Sequence, residues 1–225
     1  MEQTMPVELA ENLIDFCENR RRVYALIARC YEREMDAALA ADMAEHAALE
    51  SDDAQLTQAF GALKGELAGC DEAKLEQLAV AFNRVFFGMG PRAAQKAFPY
   101  ESVYTSERGL MMQDAYSAVL CLYREAGFAK NPDFTEPEDH LAVELSFMTA
   151  LCDRAAEALR AGDEAAAEKA LRGQADFLRE HLLNWIAPFA ADVKLADEGG
   201  FYERLASFTE AYLQADADAV AEVLA

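Results

Sequence analysis

Apolar residues recur along most of this chain at spacings of three and four, the pattern of helices with one buried face. From Pro6 the spacing puts Leu9, Leu13 and Phe16 on one face. From about Asn19 a second helix is expected, with Val23, Leu26, Ile27 and Cys30 inward. Residues 36–49 are alanine-rich and predict another helix. Ser51 or Asp52 can cap the next, which carries Leu56, Phe60, Leu63 and Leu67 and ends at Gly69. Asp71 caps a helix with the stripe Leu75, Leu78, Phe82, Val85 and Phe86. Gly88-Met89-Gly90-Pro91 stops it, and a loop is expected to about Thr105. Thr105 or Ser106 is then expected to cap a long helix with Leu110, Met111, Ala115, Val119 and Leu122, closed by Gly127.

Asn131-Pro132 signals a turn. Thr135-Glu136-Pro137-Glu138 reads as a helix start with a capping box or a first-turn proline, and Leu141, Leu145, Met148 and Cys152 form the inward stripe that follows. Gly162-Asp163 separates this from a helix through Phe177, Leu178, Leu182 and Trp185, ended or kinked at Pro188. Gly199-Gly200 precedes a last helix carrying Phe201, Leu205, Phe208 and Tyr212. Alternating strand patterns and internal repeats are missing. The fold expected is an all-α, single-domain helical bundle of about nine or ten helices over residues 1–225, with a hinge near 127–136.

Composition narrows the function classes. The 20 basic and 41 acidic residues leave a formal charge of −21, which repels nucleic-acid backbones and anionic lipid and favours a basic partner or plain solubility. The five cysteines (Cys17, Cys30, Cys70, Cys121, Cys152) are scattered through helical patterns and form no C-x-x-C pair; they read as small apolar residues in a reducing compartment. Met1 to Ala10 lacks the apolar run of a secretory signal. Asn19-Arg20-Arg21-Arg22 superficially resembles a twin-arginine leader, but Arg29 and Glu32-Arg33-Glu34 interrupt the apolar run such a leader needs. Without a span of about 18 apolar residues, a soluble cytoplasmic protein is expected, with no membrane insertion.

Two chemically rich segments stand out from the alanine-rich background. In Glu136-Pro137-Glu138-Asp139-His140 and the residues after it, His140 and Glu144 are four apart and can share a helix face, beside crowded carboxylates and Phe147. Such carboxylates suit guanidinium groups, which they bind in a bidentate way. The plain alternative is helix-start charge with a packed histidine. The second segment, Pro99 to Tyr104, lies between Phe86-Phe87-Gly88-Met89 and Met111-Met112, and aromatics with methionines suit variable apolar partners. Its plain alternative is core packing. His46 reads as solvated and His181, near Trp185, as packed. Phosphate-loop, G-x-S-x-G and H-E-x-x-H motifs are missing, so neither a metal nor a cofactor is expected. A nucleotide- or metal-dependent enzyme or switch using Asp139, His140 and Glu144 is the alternative function.

These residues resemble the TorD/DmsD family of redox-enzyme maturation chaperones, related to NarJ. Glu136-Pro137-Glu138-Asp139-His140, with Glu144-Leu145 after it, is similar to the family's E-P-x-D-H signature. Pro99-Tyr100-Glu101-Ser102-Val103-Tyr104 is similar to its P-[WY]-x-S-[VY]-Y loop, with Tyr100 where many members have tryptophan. Phe86-Phe87-Gly88 resembles its L-F-x-G segment, and Phe177-x-x-x-His181-Leu182-x-x-Trp185 a C-terminal pattern. The resemblance implies a helical fold, no enzymatic turnover, and binding of a molybdenum-cofactor oxidoreductase precursor at its twin-arginine leader before cofactor insertion and export. It implies a leader-binding site at Tyr100, Ser102, Asp139 and His140, with Phe86 and Phe87 on the apolar side. Pro99, Glu101, Tyr104, Glu136 and Glu144 complete the candidate peptide-binding set, and Glu101, Glu136 and Asp139 are the candidate arginine partners. The oligomer expected is a monomer or a domain-swapped dimer.

Overall fold

The computed structural model describes residues 5–90 and 96–225. Among them are ten α-helices and one π turn: α1 (Val7–Glu32), α2 (Ala37–Glu45), α3 (Ala54–Gly65), α4 (Glu72–Phe87), α5 (Glu101–Thr105), α6 (Asp114–Ala126), α7 (Leu141–Arg160), α8 (Glu164–Phe177), the π turn Leu178–Leu182, α9 (Ile186–Ala196) and α10 (Phe201–Val223). The expected all-α class is what the chain adopts, and no described helix is long and apolar enough to cross a membrane.

Helices α1 and α7 lie along each other at the centre; α8 packs on α7, and α10 on α9 and α3. The stripe expected for α7 is fully inside: Leu141, Leu145, Met148 and Cys152 are buried. A chain of rings ties the layers. Tyr31 of α1 meets Phe86 of α4, Phe86 stacks on Phe189 of α9, and Phe189 meets Trp185. Such pairs contribute about 0.5–1.5 kcal/mol each beyond the area they bury.

Several boundaries differ from the sequence expectation, each for a local reason. The first two expected helices are one, α1, because Arg20 is not a polar break. Its guanidinium is buried against the Asp216 carboxylate of α10 at 2.6 and 2.9 Å, and Tyr24 and Gln174 join the network. Leu9, expected inward, is exposed. Asp53, rather than Ser51 or Asp52, caps α3 through the Gln55 and Leu56 amides, and α3 ends at Gly65, before Gly69. Asp71 caps α4, and Gly88 closes it in the left-handed region at φ 64°. Pro91, the last residue of the expected stop, lies outside the described residues.

The loop expected to Thr105 contains α5. The helix expected from Thr105 or Ser106 begins only at Asp114, so Leu110 and Met111 are exposed loop residues. Helix α7 starts at Leu141, not in Thr135–Glu138, because His140 is its cap. Pro188 neither ends nor kinks a helix: it sits in the first turn of α9, where its missing N–H leaves nothing unpaired.

Candidate functional site

Residues 98–102 and 137–141 run side by side and make the site. The Leu141 amide donates to the Pro99 carbonyl and the Glu101 amide to the Asp139 carbonyl, both at 2.9 Å, and Tyr100 and His140 form an antiparallel bridge. One segment then winds into α5 and the other into α7. The two sequence segments singled out for their chemistry thus form a single junction, 35 or more residues apart in the chain.

Buried side chains fill that junction. His140 caps α7: its Nδ1 accepts from the Ala142 amide at 3.1 Å, and its ring packs edge-on between Tyr100 and Phe134. Burial, aided by the nearby Lys130 charge, pushes its pKa down to about 3, so the ring is neutral at physiological pH. His140 and Glu144, four apart, make no side-chain hydrogen bond to each other: one caps the helix and the other meets Trp185. Asp139 Oδ2 accepts from the Ser102 amide at 3.1 Å, and the Ser102 hydroxyl accepts from the Gln113 amide at 3.0 Å. Burial holds the Asp139 pKa above the usual carboxylate range despite the Ser102 bond, and the Glu101 charge adds to the effect.

Beneath lies a second layer that joins α5, α7 and the π turn. Glu101 meets His181 Nδ1 at 2.9 Å and accepts from the Asn184 side-chain amide at 3.0 Å. Glu144 accepts from the Trp185 indole N–H at 3.2 Å and has Glu101 as its neighbouring carboxyl. Burial first, and Glu101 second, push the Glu144 pKa well up. A neighbouring carboxylate and a buried setting both disfavour the charged form of Glu144. Glu144 Oε1 is buried and has no hydrogen-bond partner among the described residues.

The remaining candidates divide. Tyr100 donates its hydroxyl to the partly exposed Glu136 carboxylate. Tyr104 stacks on Trp185 at 5.6 Å and donates to Asp192. Pro99 is buried within the junction. Phe86 belongs to the aromatic core and reaches Tyr104 only through Phe189, whereas Phe87 packs on Phe82 and is 40% exposed. His181, Asn184 and Trp185, left out of the candidate set, are integral to the junction. The Phe177-x-x-x-His181-Leu182-x-x-Trp185 pattern was the signal for His181 and Trp185 but not for Asn184, and the π turn spans His181, which meets Glu101.

Two surfaces border this core. Beyond Ser102 the loop bearing Leu110, Met111 and Met112 exposes all three. On another side, a groove of about 660 Å³ opens between α6, α7 and α8, and His181 lies at its end. Among the described residues no group of three or more His, Cys, Asp or Glu could hold a metal ion.

Residues 49–191 match the nitrate reductase delta subunit family model. This chain belongs to that TorD/NarJ-related family of maturation chaperones. It is 37% identical over 147 residues to a chaperone protein TorD of Photobacterium profundum, an alignment spanning 65% of each chain. Over 190 residues it is 31% identical to a Vibrio cholerae TorD, covering 84% of this chain and 80% of that one. A Shewanella loihica TorD is 28% identical over 221 residues, 89% of this chain and 92% of the relative. The family is one of named chaperones rather than enzymes.

Proposed function

We propose that this chain is a cytoplasmic chaperone for the precursor of a molybdenum-cofactor oxidoreductase. It holds the precursor's twin-arginine leader, its apo-form or both, assists cofactor insertion, and proofreads before export. The observation that carries this reading is the junction itself. The two segments resembling the family signature pair backbone to backbone and share one hydrogen-bonded core. In this reading Pro99, Tyr100, Glu101, Ser102, Asp139, His140, Glu144 and Phe86 set the shape of the peptide-binding region from within. Glu136, Tyr104 and Phe87, which reach the surface, meet the peptide. The exposed Leu110, Met111 and Met112 supply an adaptable apolar patch beside them.

An acid–base or metal-dependent role for Asp139, His140 and Glu144 finds little support in this geometry. All three are buried, and the His140 Nδ1 is committed to its helix cap. The deciding experiment is calorimetric titration with a synthetic twin-arginine leader of a molybdoenzyme. Saturable binding that is lost when both arginines become alanine supports the proposal. Equal binding of a scrambled peptide of the same composition would contradict it.

A further inference from the structure

Three of the chain's methionines stand in water and three are sealed in the core. Met35, Met43 and Met148 are buried, whereas Met89, Met111 and Met112 are 58, 39 and 56% exposed. Met111 and Met112 follow the exposed Leu110 in the loop between α5 and α6, so two adjacent thioethers lie open to solvent beside the junction. A thioether is apolar and adaptable, but it also undergoes two-electron oxidation, which a leucine in the same place does not.

Hydrogen bonds fix the loop that presents them. The Gly109 amide donates to the Ser106 carbonyl at 3.2 Å and the Leu110 amide to the Ser106 hydroxyl at 3.3 Å. The Gln113 side-chain amide donates to the Met111 carbonyl at 2.8 Å, and the Gln113 main-chain amide to the Ser102 hydroxyl at 3.0 Å. Met112 sits at φ 56°, the only non-glycine among the described residues with a positive φ. Methionine has no intrinsic preference for that backbone, so the bonds on either side hold it there. Ser102 is buried in the junction, where its amide donates to Asp139, so the thioethers hang directly from the scaffold of the peptide-binding region.

We propose that Met111 and Met112 are a reversible oxidation site for hydrogen peroxide, and that their sulfoxides release the bound leader. The inference rests on the leader-binding reading and adds its regulation. A methionine sulfur attacks one peroxide oxygen, and the S–O bond forms as the O–O bond breaks. The sulfur loses two electrons to the peroxide, and the departing hydroxide takes the proton of the transferred oxygen and leaves as water. The sulfoxide puts a strong hydrogen-bond acceptor into a patch that must dry against an apolar segment, so binding weakens. The buried methionines stay reduced, and the core they fill is undisturbed. Thiol-dependent sulfoxide reductases reverse the step, removing the oxygen as water while two thiols become a disulfide.

The test treats the whole chain with dilute hydrogen peroxide, maps sulfoxide by peptide mass spectrometry, and titrates a synthetic peptide by calorimetry. The probe has two adjacent arginines followed by a leucine-rich segment, with no methionine or cysteine. Met111 and Met112 should carry sulfoxide while Met35, Met43 and Met148 do not, and affinity should fall at least tenfold. Sulfoxide reductase with dithiothreitol should restore it. Recovery with dithiothreitol alone, which reverses oxidation at Cys70 and the exposed Cys121 but not at methionine, would overturn the assignment. Met111→Leu with Met112→Leu, compared with itself before and after peroxide, should lose the sensitivity. If that variant does not fold, the wild-type time course decides: affinity loss that tracks Met111 and Met112 supports the site, and loss that tracks Met89 alone overturns it. Unchanged affinity with both sulfurs oxidised overturns the inference and leaves the leader-binding reading standing. If the unoxidised wild type does not bind the probe, the leader-binding reading fails and takes this inference with it.

Discussion

Burial and the neighbouring Glu101 favour the neutral form of Glu144, and that has a sign that can be measured. Its folded pKa lies above the ordinary 4.5, so the folded state keeps a proton that the unfolded chain gives up. Its contribution is intact below about pH 4.5 and is lost as pH rises toward the folded value. Glu144→Gln keeps the shape and removes the titration. Urea midpoints measured from pH 5 to 9 should therefore fall less steeply with pH for Glu144→Gln than for wild type. His140 works the other way. With a pKa near 3 against an ordinary 6.5, its contribution is present above pH 6.5 and is lost as pH falls toward 3. Removing the Asp139 carboxylate leaves the buried Ser102 amide without its acceptor, so Asp139→Ala should lose about 1–3 kcal/mol of unfolding free energy. Arg20→Ala strands the buried Asp216 carboxylate and should cost about 3–5 kcal/mol in the same assay.

At the scale of elements, what was legible in the sequence followed periodicity. The α7 stripe and the Asp71 cap obey local rules and stand where those rules put them. Boundaries set by distant partners were not legible. A second helix was expected from about Asn19, and that Arg20 is buried within one continuous helix was not legible because its partner, Asp216, lies 196 residues away. The start of α7 was misplaced because its cap is an imidazole nitrogen, whereas the usual signal is an oxygen-bearing side chain upstream. Leu110 and Met111 matched a helix face yet are exposed, since apolar spacing alone does not say that a partner covers it. The junction was half legible. Its two segments could be named, but the Glu144–Trp185 and Glu101–His181 contacts that unite them join distant stretches of chain and depend on a π turn. Asp163 offers a local check. It caps α8 through the Ala166 amide, and Asp163→Ala should lose about 1 kcal/mol of stability, read from urea denaturation.

For the whole molecule, the charge of −21 acts before contact. A basic leader is drawn to such a surface, so association should slow by tenfold or more between low and physiological salt while dissociation changes less. Stopped-flow mixing at varied ionic strength reads both rates. The central claim is that a redox-enzyme precursor is the client, and purification of the tagged chain from its own host, with bound proteins identified by mass spectrometry, tests it most directly. The account predicts enrichment of an unprocessed molybdenum-cofactor oxidoreductase, lost when that enzyme's leader and apo-form are both absent. Recovery of no such precursor from cells shown to be making one would contradict it.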